Sequence, residues 1–312
     1  MKLFLLGKSA SVTHWLEDAA GGFRAAGHTV EIGFTRRPWL SAAIEGALEG
    51  TFTSSILKRI DQFGPAAILV VGGFHAPPGM LQAVAAIHGR PPLIGWVGDL
   101  FDETARAAAD LYDAVAYTDS ALEALHRAAG FSATARYVPH AVNPAGAAML
   151  SPDPARRARM VFVANPTKDR RAIVAALRSP ITLYGPGWGM VSPEHHEVHP
   201  RRVESAALRG LYRAHAMALN IRNEQHVLSG LNQRNFEPCL MGAALITDDQ
   251  PDLERCFDPG AEVAAWSDVD ELNAIHERLL AAPGEAAVMG ERARRRVLAE
   301  HTYGHRLSAL LA

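Results

Sequence analysis

Cysteine is nearly absent: Cys239 and Cys256 are the two in 312 residues. Two cysteines cannot build a disulfide framework, and they fit a reducing, cytoplasmic compartment. No charge of one sign dominates, because 31 Lys and Arg stand against 33 Asp and Glu, a formal net charge of -2. That balance excludes the basic footprint of a nucleic-acid binder. No apolar run approaches the ~18 residues of an integral membrane segment. The opening MKLFLLGKSA turns polar too soon for a signal peptide and reads as a first strand. No G-x-G-x-x-G follows a strand, which argues against a nicotinamide oxidoreductase. The Gly7-Lys8-Ser9 triplet lacks the upstream glycine that a phosphate loop requires, since position 2 is Lys2. A glycine turn after the first strand remains. There is no internal repeat and no low-complexity tract.

What is present is the composition of a globular α/β protein. Hydrophobic residues make up 48% and charged residues 21%, so the chain is not a disordered polymer. Its length suggests about two domains. In the first half, strand candidates Lys2–Gly7, Thr29–Phe34, Ala66–Gly73, Leu93–Gly98, Ala114–Thr118 and Ala135–Val138 alternate with helical stretches, among them Thr13–Ala26 and Leu40–Phe63. Ala66–Gly73 is a continuous apolar run closed by glycines, as a buried parallel strand should be. Asn143–Arg159 then carries three prolines without apolar periodicity and reads as a linker. The alternation restarts with strands at Met160–Ala164, Ile181–Tyr184, Met217–Ile221 and Ala243–Thr247. Helices are expected at Asp169–Leu177, Ser205–Ala214, Leu231–Met241, Asp268–Ala281, Glu285–Glu300 and Tyr303–Leu311. The pattern predicts two Rossmann-like domains with parallel sheets: 1–148, then 149–300, with a C-terminal helix over 301–312 that can pack back on the first domain. Ligands of such sheets bind beyond the carboxyl ends of the strands, so the interdomain cleft is the expected site.

Three motifs carry chemistry. His195, His196 and His199 (EHHEVH) match no zinc spacing, both cysteines lie far away, and the stretch reads as a solvated loop. No metal site is expected, and His301 and His305 read as part of a capped, packed terminal helix. Tyr184-Gly185-Pro186-Gly187-Trp188 follows a strand; its glycines suit either a ligand's close approach or an ordinary turn. Asn220–Asp249 is the most informative stretch. A loop with Arg222, Asn232 and Arg234 leads into a helix expected to start near Phe236–Glu237. A helix N-terminus suits a diphosphate, and Arg234 could add a charge-assisted contact. Glu237 suits the hydroxyls of a ribose or simply favours the helix dipole.

At this stretch the chain resembles the CgeB-type (spore maturation protein-like) glycosyltransferases, a family of the two-domain GT-B class. The residues concerned are Leu231-Asn232-x-Arg234-x-Phe236-Glu237, Gly242, Leu245 and Thr247-Asp248. Cys256-Phe257-x-Pro259-Gly260-x-Glu262-Val263, Asp270-Glu271-Leu272 and His301-Thr302-Tyr303-x-His305-Arg306 continue it. Tyr184-Gly185-x-Gly187-Trp188, Leu211-Tyr212 and Leu219-Asn220-Ile221 also fit. In the first half the likeness rests on Trp96-x-x-Asp99, Tyr112-Asp113 and Pro139-x-Ala141.

The resemblance implies a GT-B-like fold and transfer of a sugar from a nucleotide-diphosphate donor, UDP favoured, to an acceptor hydroxyl. It implies a metal-independent reaction with no cofactor beyond the donor co-substrate, and retention of configuration. It raises Glu237, five residues before Gly242, to a donor-ribose ligand. Many such enzymes carry another glutamate eight positions earlier; here that position is Ser229. This departure favours an alternative, a non-catalytic nucleotide-sugar-binding protein on the same frame; a sugar-nucleotide epimerase or hydrolase is another. Arg234 and the helix start are expected to take the charge of the leaving diphosphate, with Arg222, Lys168 and Arg170 as further cations. Lys168 and Arg170 follow the strand ending at Asn165. Phe236, Asn232, Gly185, Trp188, Asn165 and Gly7 complete the expected donor contacts. The acceptor (a glycan, small molecule or protein) is expected on the first domain near Gly7, His75 and Asp99, each closing a strand. Asp99 or His75 could serve as a base if the enzyme inverts.

Overall fold

The computed structural model describes residues 1–8, 15–36, 42–102, 105–145, 152–190, 195–223 and 226–312. By internal contacts the chain divides into two units: Met1–Ala145, Gln225–Gly230 and Thr302–Ala312 form the first, Gly146–Glu224 and Leu231–His301 the second. Residues 225–230, expected in the second domain, therefore belong to the first unit.

The first unit runs β1 (Lys2–Lys8), α1 (Trp15–Ala25), β2 (Thr29–Arg36), α2 (Ala42–Phe63), β3 (Ala67–Val71), α3 (Pro78–Ala85), β4 (Leu93–Val97), α4 (Arg106–Ala109), β5 (Ala114–Tyr117), α5 (Ser120–Ala128) and β6 (Thr134–Tyr137). The sheet is parallel throughout, in the order β2-β1-β3-β4-β5-β6. Alternation along β1 fills both faces. Leu3 and Leu5 pack into one core with Phe23, Trp96 and Tyr303, and Phe4 and Leu6 into the other with Ile56, Ile60 and Tyr117. Gly7 lies inside β1, buried, and not in a turn after it. A Cβ there would meet the Val71 carbonyl at 3.0 Å and Leu16 at 3.2 Å, so the glycine serves close strand packing. The helical expectations at 13–14 and 40–41 fall outside the described residues, as does Ser9.

The second unit runs β7 (Arg157–Val163), α6 (Lys168–Ala175), β8 (Thr182–Tyr184), β9 (Glu197–His199), α7 (Ser205–Ala214), β10 (His215–Asn220), α8 (Gln233–Leu240), β11 (Ala244–Asp248), β12 (Ala264–Trp266), α9 (Val269–Ala281) and α10 (Pro283–Glu300). Its parallel sheet has the order β12-β11-β10-β7-β8-β9, the doubly wound dinucleotide-fold order, reversing between β7 and β10. Arg157–Arg159, read as linker, open β7; positions 146–151 of that expected linker lie outside the described residues. The EHHEVH stretch is no solvated loop. Glu197–His199 form edge strand β9, and buried His196 hydrogen-bonds the Val174 carbonyl through Nε2 at 3.0 Å.

Helix α11 (Tyr303–Leu311) returns to the first unit. Thr302 and His305 form a capping box at its start. Tyr303 packs on Phe23 and Trp96 with ring centroids 6.0 and 5.9 Å apart. Arg306 donates to the Pro139 and His140 carbonyls at 2.9 and 3.0 Å. No described helix is long and apolar enough to cross a membrane.

Candidate functional site

Helix α8 is the centre of the second unit's candidate site. It begins at Gln233, three to four residues before the expected start at Phe236–Glu237, because Asn232 and Asn235 form a reciprocal cap. The Asn232 side chain accepts from the Arg234 amide at 2.8 Å, and Asn235 Oδ1 accepts from the Asn232 amide at 3.0 Å. Asn235 is fully buried and also ties the helix to the sheet. Its amide group donates to Thr247 Oγ1 at 3.0 Å, and its oxygen accepts from Asn220 Nδ2 at 3.0 Å. The helix start is thus pinned to the carboxyl ends of β10 and β11, and its cap already uses amides expected for a diphosphate. Pro238 lies in the helix interior and not in its first turn, so it removes the donor that the Arg234 carbonyl would otherwise receive.

Arg234 is the unusual member. Its Nε is buried with no hydrogen-bond partner among the described residues. Its positive charge, added to burial, helps push the nearby Arg170 down to about 10. It and Glu237 both act on the buried Tyr212 hydroxyl, whose acidity is weakened first by desolvation. Glu237 is 8% exposed and stands three residues after Arg234, on the same helix face.

Other expected donor contacts serve the fold. Arg170 is buried, and its Nε and Nη2 donate to the Ile221 carbonyl at 3.1 and 2.7 Å, its Nη1 to the Asn165 carbonyl at 3.4 Å. It fastens the loops after β7 and β10 where the strand order reverses, and is not free to meet phosphate. Trp188 is 0% exposed, packs on Phe162, and donates its indole N–H to the Ala164 carbonyl at 2.6 Å. Phe236 is likewise 0% exposed, between Phe257 and His301. Neither ring can touch a ligand. Gly185 has φ +146°, and a Cβ there would stand 2.1 Å from the Ala164 oxygen; the close approach is by the protein's own backbone. Asn165 and Lys168 are exposed, Lys168 opening α6. Arg222 lies beside Asp248, its Nε 3.4 Å from Oδ2 and its amide donating to Oδ1 at 3.0 Å. Burial raises the Asp248 carboxyl above its ordinary range.

In the first unit, the ends of β3 and β4 bring two expected residues together. His75, in a short 3-10 turn after β3, places Nε2 3.1 Å from Asp99 Oδ2. His226, which the sequence did not suggest, places Nδ1 3.2 Å from the other oxygen, Oδ1. The hydrogen bond from His75, with the charges of His226 and His140, holds the Asp99 carboxyl below the usual range against desolvation. All three side chains are about half exposed (47%, 46% and 55% for His75, Asp99 and His226). Among the described residues no group of three His, Cys, Asp or Glu is arranged to hold a metal ion.

The fold is that of the GT-B glycosyltransferases: two α/β units, each on a six-stranded parallel sheet. Residues 168–312 match a family model described as glycosyl transferase-like. No curated protein sequence matches the chain. Among solved structures, Anabaena HepE, in complex with UDP and glucose, superposes with a TM-score of 0.68 at 13% identity, over 99% of this chain and 98% of that one. Sucrose-phosphate synthase from Thermosynechococcus elongatus gives 0.66 at 14% identity, over 96% and 94%. The lipopolysaccharide outer core galactosyltransferase WaaB, in its apo form, gives 0.63 at 12% identity, over 100% and 99%.

Proposed function

We propose that the chain is a glycosyltransferase that moves a sugar from a nucleoside-diphosphate sugar, with uridine as the base, to an acceptor hydroxyl. The observation that carries this reading is the Arg234 guanidinium. A half-buried cation whose buried Nε has no partner among the described residues, beside the buried Arg170, is expensive to keep unless an anion comes to it. A diphosphate supplies that anion. Glu237, on the same helix face, suits the paired hydroxyls of the ribose, and exposed Lys168 is a second cation for the phosphates. The glycosyl transferase-like match over the second half and the UDP complex of a structural neighbour support the same ligand.

In the reaction, the bond between the anomeric carbon and the diphosphate oxygen breaks and its electron pair leaves with the diphosphate. The acceptor oxygen forms the new bond, and its proton passes to the departing diphosphate oxygen. In this reading Arg234 takes up the leaving charge without a metal, and configuration is retained. The acceptor belongs to the first unit, at the carboxyl ends of β3 and β4. Ser229, where resembling enzymes carry a glutamate, favours a second reading: a protein that binds nucleotide sugars without transferring them.

A thermal-shift series with nucleoside diphosphates and their sugars tests the site. UDP at ~100 times its Kd should stabilise the wild type by ~2.7 kcal/mol. The shift should shrink in Glu237→Ala, which loses the ribose contact. A wild type indifferent to every nucleoside diphosphate, or an undiminished shift in the variant, refutes the site. Binding without release of UDP over a broad acceptor panel selects the second reading.

A further inference from the structure

Residues 226–230 lie far along the sequence yet belong to the first unit, and one carboxylate fastens them there. Asp119, just after β5, is 2% exposed. Its Oδ1 accepts from the Ala121 amide at 2.9 Å and caps α5. Its Oδ2 accepts from the Leu228 amide at 2.8 Å and the Ser229 amide at 2.9 Å. Bonds from amides to a buried carboxylate are of the strong, charge-assisted kind. The fit is tight from the other side too: a Cβ on Gly230 would stand 2.7 Å from Asp119 Cα and from the Thr118 carbonyl oxygen. The segment is therefore a strap, clamped at 228–230.

The strap's leading residue is His226, which takes the Asp99 oxygen that His75 leaves. An imidazole with one nitrogen on a carboxylate has its second ring nitrogen left for an incoming hydroxyl. Here those nitrogens are Nδ1 of His75 and Nε2 of His226. Both rings are about half exposed, so a hydroxyl from solvent can reach them.

We propose that Asp119 is a positioning residue: by clamping the strap it sets His226 on Asp99 and completes a His75–Asp99–His226 cluster that binds the acceptor hydroxyl. The acceptor's identity as a hydroxyl rests on the transferase reading; the clamp does not.

The experiment uses the full chain and two variants that release the strap from opposite sides. Asp119→Asn keeps an oxygen to cap α5 but loses the second acceptor, and Gly230→Ala leaves Asp119 untouched. Hydrogen exchange at the Leu228 and Ser229 amides should quicken at least about tenfold in both, with β3–β6 still protected. Carbethoxylation of His226 by diethyl pyrocarbonate should change in both variants as it does in Asp99→Asn. Unchanged exchange and labelling overturn the clamp, whatever the activity. In transfer assays Asp119→Asn and His226→Ala should each lower kcat about tenfold at constant donor KM, and the double variant should be no worse than His226→Ala alone. Additive losses, or a raised donor KM instead, overturn the positioning role. A wild type that shows the labelling pattern yet turns over no nucleotide sugar would count against the transferase reading and leave the clamp standing.

Discussion

At the scale of single residues, Arg234 and Glu237 separate two jobs that one pocket must do. A charge that meets the leaving group acts mainly in the transition state, whereas a ribose ligand acts equally before and during reaction. Arg234→Ala should therefore lower kcat by about 10²–10³, the ~2.7–4 kcal/mol of a lost preorganised contact. Glu237→Ala should mainly raise the donor KM, by roughly 1.5–3 kcal/mol in binding. Steady-state kinetics of both decide it, and near-normal values for both remove the assignments. The buried, unpartnered Nε adds a second expectation. Arg234→Met should raise the urea midpoint even as activity falls, because it removes an unsatisfied donor and a like-charge neighbour of Arg170.

The same scale shows what sequence could and could not reveal. Glu237 stood out through the family resemblance alone, since a glutamate in a first helical turn otherwise serves the helix dipole. Trp188, Phe236 and Gly185 looked equally suited to a ligand, since large rings and glycines serve packing and recognition alike. Burial decides between those uses, and burial is a tertiary property. His226 gave no signal at all. Its partner Asp99 lies more than a hundred positions away, and only the strap brings them together.

At the scale of elements, buried strands were the legible part. Apolar runs such as Ala67–Val71 and Leu93–Val97 have little else to become. The three-residue strands β9 and β12 escaped notice because, unlike equally short β8, neither sits in an apolar run that the reading singled out. The start of α8 at Gln233 falls between the two expected starts, Leu231 and Phe236–Glu237, because Asn232 and Asn235 cap one another. The element that holds α8 in place offers a test. Gly290 of α10 lies against the turn after α8, where a Cβ would stand 2.3 Å from the Gly242 carbonyl oxygen. Gly242 itself has φ +70°, and Arg156 donates to both its carbonyl and that of Met241. That carbonyl cannot retreat without breaking its bond to Arg156. Gly290→Ala should thus destabilise by ~1–3 kcal/mol, as overpacking does. A urea midpoint equal to that of the wild type would show that α10 yields freely.

At the scale of the whole molecule, two sheets of similar size differ in how they answer acid. The buried histidines held below their ordinary range, His196, His215 and His276, all lie in the second unit. His276 is the extreme case. It is 0% exposed, neither ring nitrogen has a partner among the described residues, and burial, with the charge of His196, lowers it to about 4. Folded, it stays neutral; unfolded, it takes a proton near its ordinary value of 6.5. The unfolded chain binds more protons through this window, so stability is full above pH 6.5 and is lost as pH falls toward about 4. The loss is about 1.4 kcal/mol per pH unit, on the order of 3 kcal/mol in all. The depressed carboxylates Asp99 and Asp113 start from 3.8, so they act lower on the scale, and Asp248, raised by burial, works in the opposite sense. Hydrogen exchange at pH ~5 should therefore loosen β7–β12 before β1–β6. His276→Leu removes the titrating ring while filling its space, so the variant's urea midpoint should fall less between pH ~6.5 and ~5 than the wild type's, with His196 and His215 still titrating. Equal slopes for the two proteins would mean that the acid response arises elsewhere.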